Sequence, residues 1–242
     1  MHNHAFKHAA GTTDEAKKYL LSDGVYFAEV GRKTIFLDLH ADKYQAIDRS
    51  RFRALSSLYA GSTSEPAEAP TNAQQKLLDT LVTRGLLTTN QRDGRLVQQI
   101  QHQAARRHLL PDANAASWLR RTALLARLFY VAARSDGLLA KRPLRACIAR
   151  VRAAKSTCSA TPELPSWLPY FLHARYYYPA DRICLRDSFL LMNVLLAHGV
   201  AADWVFGVQA DPFAAHCWVQ IGDLVINDDV ERVARFTPIL VV

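Results

Sequence analysis

Three residues in the C-terminal part of the chain have the types and the order that thiol hydrolysis uses: Cys184, His216 and Asp228. A thiolate attacks a carbonyl carbon, an imidazole accepts and returns the proton, and a carboxylate fixes the imidazole tautomer. Each residue alone has a plainer reading. A lone cysteine among apolar residues is more often a buried small hydrophobe. A lone histidine is more often a satisfied structural one, and Asp228 beside Asp229 reads as an ordinary turn acid. The ordered set of helix-start cysteine, strand histidine and next-strand aspartate is what points to chemistry.

Such chemistry needs elements that hold the three groups. Asp181 is placed to cap a helix beginning near Cys184, and Leu185, Met192, Leu195 and Leu196 follow at helical spacing. Gly199 closes that helix. A thiol in its first turn feels the positive end of the macrodipole, which favours the thiolate. The Cys184 backbone N–H is a natural donor to an oxyanion. Two apolar segments come next, Trp204 to Val208 and Cys217 to Ile221; Gly222-Asp223 is a turn signal and Leu224 to Ile226 a return strand. His216 and Asp228 share parity about a turn centred on Gly222 and so can face each other across the hairpin. A strict two-residue loop at Gly222-Asp223 instead sets His216 opposite Asp229. Periodicity does not choose between the two acids.

The pattern C-L-x-x-S, then a helix ending in HG, then GV-x-x-x-PF-x-x-H-x-W-V and V-I-N-D, is carried here by Cys184, Leu185, Ser188, Gly207, Val208, Pro212, Phe213, His216, Trp218, Val219 and Val225 to Asp228. It resembles the transglutaminase-like maturation proteases of lasso peptide biosynthesis, the B proteins. The resemblance is specific over residues 175–230 and weaker upstream. It implies Cys184 as nucleophile, His216 as base and Asp228 rather than Asp229 as the orienting acid. Cys217 departs from the family's usual small residue or serine without touching anything central.

Towards the N-terminus, VYFAEVGRKTIFLDLHADKYQAID reads as a three-stranded meander with turns at Gly31-Arg32 and Ala41-Asp42. Helical patterns follow over Arg51 to Tyr59 and Asn72 to Arg84, separated by the polar loop GSTSEPAEAPT and closed by Gly85. Together with LLDTLVTRGLLT this text resembles the PqqD-like leader-recognition module that accompanies pyrroloquinoline quinone biosynthesis and that lasso pathways also carry. The resemblance implies a winged-helix-like domain in which a precursor's leader adds as a strand beside the third strand and packs on the last helix. The residues it places in that groove are Tyr44, Ala46, Ile47, Leu77, Leu81 and Arg84. Core packing is the plainer alternative for Leu77 and Leu81.

The chain has 242 residues, half of them apolar, which suits one or two globular domains. No apolar run reaches membrane-spanning length, and no signal-peptide plan opens the sequence. Cys147, Cys158, Cys184 and Cys217 lack metal-site or disulfide spacing, so no metal is expected and a reducing cytoplasm is the simplest setting. Residues 91–155 hold 14 Lys or Arg against 3 Asp or Glu. Two helices are expected there, about Ala115 to Ser135 and about Leu144 to Ala154. Without an aromatic-interleaved or finger-like motif their charge reads as a solvated basic face, not a nucleic-acid reader. The proline-rich stretch 156–180 leads into Cys184, with Tyr177 or Tyr178 as candidates to line the cleft.

The expected class is α+β, with an N-terminal winged-helix-like domain (a three-stranded meander plus helices) and a C-terminal papain/transglutaminase-like cysteine protease domain. The expected limits are a flexible tail over 1–22, where His2, His4 and His8 could suggest metal binding but read more simply as a solvated tail or an expression remnant. A recognition domain spans 23–90, a linker 91–113 and the protease 114–242. By resemblance the substrate is a precursor peptide, and the main protein partner is an ATP-using, asparagine-synthetase-like cyclase that closes the macrolactam. ATP dependence of cleavage follows from the same resemblance, although no cofactor-binding loop stands in the sequence. Two other classes share these features: a different transglutaminase-like acyl-transfer enzyme, and a non-catalytic peptide- or DNA-binding winged-helix protein.

Overall fold

The computed structural model describes residues 18–59, 69–114, 117–158, 163–177 and 183–242. In chain order it begins with strands β1 (Leu20–Ser22), β2 (Val25–Val30), β3 (Lys33–Asp38) and β4 (Lys43–Asp48). Then come helix α1 (Arg49–Arg53), a 3-10 turn (Ser56–Leu58), α2 (Asn72–Thr83), β5 (Leu87–Thr88), β6 (Gly94–Arg95) and β7 (Arg107–His108). The C-terminal part holds α3 (Trp118–Lys141), α4 (Leu144–Lys155), α5 (Leu168–Ala174) with a 3-10 turn (Arg175–Tyr177), and α6 (Cys184–Ala197). It closes with β8 (Asp203–Ala210), β9 (Phe213–Ile221), β10 (Leu224–Val225), α7 (Val230–Val233) and β11 (Thr237–Val241). The mixed α+β class expected from the sequence is what forms.

The chain divides into two compact units, one of Met1–Ser22 with Ala54–Val97 and the other of Asp23–Arg53 with Gln98–Val242. These limits differ from those expected at 23–90 and 114–242. The meander groups with the C-terminal residues because β2 lies against β11 and β8. The expected tail also ends early. Leu20–Ser22 is a strand, since Leu20 and Leu21 are buried and pair with Thr88 and Leu87; residues 1–17 lie outside the described part. Residues 91–113 are more than a linker, for they contain β6 and β7.

In the first unit, β1 is the central strand of the sheet β5-β1-β6. Helix α2 starts with a capping box: Thr71 Oγ1 accepts from the Gln74 N–H at 3.3 Å, and Gln74 Oε1 accepts from the Thr71 N–H at 2.8 Å. It stops at Gly85, whose φ of 73° a side chain would resist.

In the second unit, β2, β3 and β4 form the expected antiparallel meander in the order β2-β3-β4, which leaves β4 on an edge. The larger sheet runs β11-β8-β9-β10-β7, and only the β10–β7 pair is parallel. Strands β8 and β9 alternate so that Trp204, Phe206 and Val208 share a face with Cys217 and Val219. Helix α6 packs there through Phe189, Met192 and Leu195, all fully buried. Its end follows the expected plan: Gly199 takes φ 72° and the Val200 N–H reaches the Leu195 carbonyl at 3.0 Å. Helix α3 runs past the expected Ser135 because Leu138 and Leu139, partly buried, carry on the stripe of Leu128, Ala132 and Ser135. It ends at Arg142, in extended conformation before Pro143. No helix among the described residues is long and apolar enough to cross a membrane.

Candidate active site

Cys184 is the first residue of α6, with Ile183 in the N-cap position and no side-chain cap. Asp181, the expected cap, lies outside the described residues. With no capping side chain, the first-turn N–H groups and the macrodipole bear on the sulfur. Asp187 sits in the same turn and would oppose a thiolate. The buried Arg175 guanidinium offsets it, donating from Nε to Asp187 Oδ1 at 2.7 Å.

His216 projects from the middle of β9, opposite Gly207 of β8. Its ring lies against two aromatics, Trp218 with centroids 6.0 Å apart and Phe236 at 5.1 Å. Gly207 is what admits them. A Cβ there would stand 2.8 Å from Phe236 Cβ and 2.9 Å from the Trp218 ring. His216 Nε2 is 2.5 Å from Asp228 Oδ2, so Nδ1 is the nitrogen left to face the thiol.

The choice of acid does not follow from strand register. Leu224 pairs with Ile221 and Val225 with Gln220, so the loop is the two-residue Gly222-Asp223 turn. Continued, that register would bring Asp229 to His216. The ladder stops first. Asn227 Oδ1 accepts the Val219 N–H at 2.8 Å in place of a backbone carbonyl, and the chain bends away. Asp228 then turns to His216, and Asp229, exposed, becomes the N-cap residue of α7. Asp228 Oδ1 also accepts the Asp229 N–H at 2.9 Å.

The electrostatics follow from these contacts. Hydrogen bonding from the Cys217 thiol, and then from His216, draws the Cys184 pKa down to about 4 against the opposing effect of burial. Burial disfavours the charged His216 ring, but its bonds to Asp228 and Cys184 outweigh this and raise it to about 9. Burial likewise opposes the Asp228 carboxylate, and the His216 bond and the Asp229 N–H hold it below its ordinary range. Cys217 shifts the other way, raised by the neighbouring Cys184 and by burial. A thiolate on Cys184 and an imidazolium on His216 therefore coexist over a wide interval, as nucleophilic thiol chemistry requires.

Cys184, His216 and Asp228 share the wall of one cavity of about 470 Å³, with Arg175 and Tyr176 beside them. Of the tyrosines expected near the cleft, Tyr177 is exposed and Tyr178 lies outside the described residues; the lining position belongs to Tyr176. The six groove residues fall in both units. Tyr44, Ala46 and Ile47 are on β4, the first half-buried against Phe213 with ring centroids 5.5 Å apart and the second exposed. Leu77 and Leu81 are on α2 and Arg84 follows it. Leu81 is fully buried, which matches the plainer core reading for that residue, while Leu77 is half-buried and Arg84 exposed.

Sequence reasoning passed over Cys217, Ser188 and Trp204, which form a buried polar chain beneath Cys184. The parity of β9 held the signal: if His216 faces one side of the sheet, Cys217 must face the other, where α6 lies.

The family model described as the transglutaminase-like superfamily matches residues 108–241. A 45-residue stretch is 42% identical to the "Microcin J25-processing protein McjB" of Escherichia coli, covering 19% of this chain and 22% of that protein. No solved structure matches the chain.

Proposed function

The chain belongs to the transglutaminase-like superfamily, and from that premise we propose that it is a cysteine peptidase that removes the leader from a lasso peptide precursor. The observation that carries the reading is the arrangement of Cys184, His216 and Asp228 around one cavity, with the His216–Asp228 bond at 2.5 Å. In this reading the Cys184 thiolate attacks the carbonyl carbon of the scissile peptide bond and forms a tetrahedral oxyanion. His216, as imidazolium, protonates the leaving amine when the C–N bond breaks, which leaves a thioester on Cys184. Water, deprotonated by His216, then hydrolyses the thioester and regenerates the thiolate. Asp228 keeps the ring in the tautomer and orientation that both transfers need. The Cys184 backbone N–H, at the start of α6, is one donor to the oxyanion.

The lasso assignment is supported by the motif pattern from Cys184 to Asp228 and by the short similarity to a protein named for microcin J25 processing. Leader capture is proposed for the edge of β4, where backbone groups of a sheet margin can accept an added strand. The partner that takes the trimmed product would be an asparagine-synthetase-like cyclase.

The test is incubation of the full-length protein with the precursor peptide encoded beside its gene, followed by mass spectrometry. The expected result is a single cut between leader and core, abolished by Cys184→Ala and retained by Cys147→Ala and Cys158→Ala. Cleavage by Cys184→Ala at the parent rate would overturn the assignment.

A further inference from the structure

We propose that Cys217 is a positioning residue for the nucleophile: its S–H donates to the Cys184 sulfur, and a buried relay from Trp204 through Ser188 fixes it in place to do so. The proposal rests on the reading of Cys184 as the attacking thiolate.

The relay is defined by four contacts at one hydroxyl. Ser188 Oγ accepts the Trp204 indole N–H at 2.8 Å, lies 2.6 Å from the Cys184 carbonyl oxygen and 3.3 Å from that of Leu185, and lies 3.3 Å from Cys217 Sγ. Trp204 and Ser188 have no exposed surface, and Cys217 has 3%. A hydroxyl has one proton and two lone pairs, and an indole N–H can only donate. Trp204 therefore occupies one lone pair, and the carbonyl oxygen at the shorter distance takes the Ser188 proton. The Cys217 proton is left with two acceptors, the second Ser188 lone pair and the Cys184 sulfur. An ionised acceptor makes a bond roughly twice as strong as a neutral one. Once Cys184 is a thiolate, the Cys217 proton belongs to it.

The geometry explains why this cysteine is more than a small core residue. Cys217 lines the same cavity as Cys184, and Ser188 Oγ links the two, reaching the Cys184 carbonyl and the Cys217 sulfur. Ser188 is one helical turn after Cys184 and bonds the backbone of the one thiol and the side chain of the other, which fixes their relative positions. The assignment of charge is also consistent: Cys184 is lowered and Cys217 raised, so one sulfur carries the charge and the other keeps the proton. His216 supplies the proton that catalysis moves. Cys217, lacking solvent access, supplies one that stays. The other ionisable groups bearing on Cys184 are His216 with Asp228, Asp187 with Arg175, Arg232 at the cavity wall, and Tyr44 of β4.

The test is the pH dependence of alkylation by iodoacetamide in the full-length protein, with peptide mapping to follow Cys184 separately from the other thiols. Neither precursor nor partner is needed. In Cys217→Ala the midpoint of Cys184 alkylation should rise by about one pH unit or more, the worth of one lost hydrogen bond to a charged group. Cys217→Ser keeps a donor and should stay near the parent. Cys217→Val fills the volume without a donor and should follow Cys217→Ala, which covers the case in which alanine leaves the core too loose to fold. If both donor-less variants titrate like the parent, or if serine shifts as far as they do, Cys217 is not a donor and the proposal is overturned. The parent protein separates the two claims. If parental Cys184 reacts no faster below neutral pH than Cys158, the nucleophile reading fails and this one with it. If it reacts fast and the donor-less variants match it, this proposal alone fails.

Discussion

His216 is bonded to Asp228 at 2.5 Å although the register of its hairpin is aimed at Asp229. The bend at Asn227 makes the difference, because its side chain takes over the Val219 N–H and frees the next residue from the ladder. Asp228→Asn should therefore lower turnover by orders of magnitude, since an amide cannot stabilise an imidazolium as a carboxylate does. Asp229→Asn, on an exposed N-cap residue, should change it little. Steady-state cleavage rates of the two variants decide the matter; the reverse order would mean that His216 uses the other acid.

The ion pair gives a pH signature with two different outlines. Cys184 ionises near pH 4, where Cys217 and His216 hold it down, and His216 loses its proton near pH 9, where its bonds to Asp228 and Cys184 have held it up against burial. Cleavage needs both the thiolate and the imidazolium, so its rate should fall on both sides of that interval. Alkylation needs the thiolate alone and should fall only on the acid side. An alkylation midpoint near the ordinary thiol range of about 8.5 would show that no such pair exists.

Gly207 leaves the space in which Trp218 and Phe236 pack against the His216 ring. Gly207→Ala would bring a methyl within 2.8 Å of Phe236 Cβ, on a rigid part of that side chain. The expected cost is about 1–3 kcal/mol of stability, in the range for overpacked sites. It should be read as a lower Tm, with a loss of cleavage from the displaced ring. A variant of parental stability and activity would show that the aromatic clamp yields freely.

The edge of β4 gives a paired test of leader capture. Successive residues of an edge strand send their N–H groups to opposite sides. Of Ala46→Pro and Ile47→Pro, one removes an outward donor and the other breaks the ladder to β3. The variant that stays folded by circular dichroism should bind the leader peptide more weakly in fluorescence anisotropy, with parental alkylation of Cys184. If both remain folded and bind the leader as tightly as the parent, the edge is not the capturing surface. Tyr44 is a poor probe here, since it packs on Phe213 of the catalytic unit's own hairpin.

The helix that begins at Cys184 was legible because the apolar spacing after it and the glycine after His198 are local signals. The meander was legible for the same reason: its strands alternate and its turns carry glycine or αL-tolerant aspartate, with Asp42 at φ 51°. What local patterns missed depends on distant partners. The acid that bonds His216 is selected by an asparagine side chain that replaces one backbone acceptor. The pairing of β11 with β8 joins Thr237 to Val208, with no local marker at either end. The role of Ser188 requires Trp204 and Cys217, which come from two different strands. The grouping of the meander with the C-terminal residues was not legible because sequence order suggests one cut, whereas β2 lies against β11.

That last relationship also bears on the order in which the second unit can assemble. The meander is among the first parts of the described chain to leave the ribosome, and β11 is the last strand to do so. Until β11 is made, β2 lacks its neighbour and β8 has an open edge. The second unit can therefore complete its packing only once β11 is made, since β2 and β11 lie against each other from opposite ends of the described chain. Contacts of such separation are the slowest kind to form. A nascent chain stalled before Thr237 would hold Cys184, His216 and Asp228 and still lack the strand that pairs with β8.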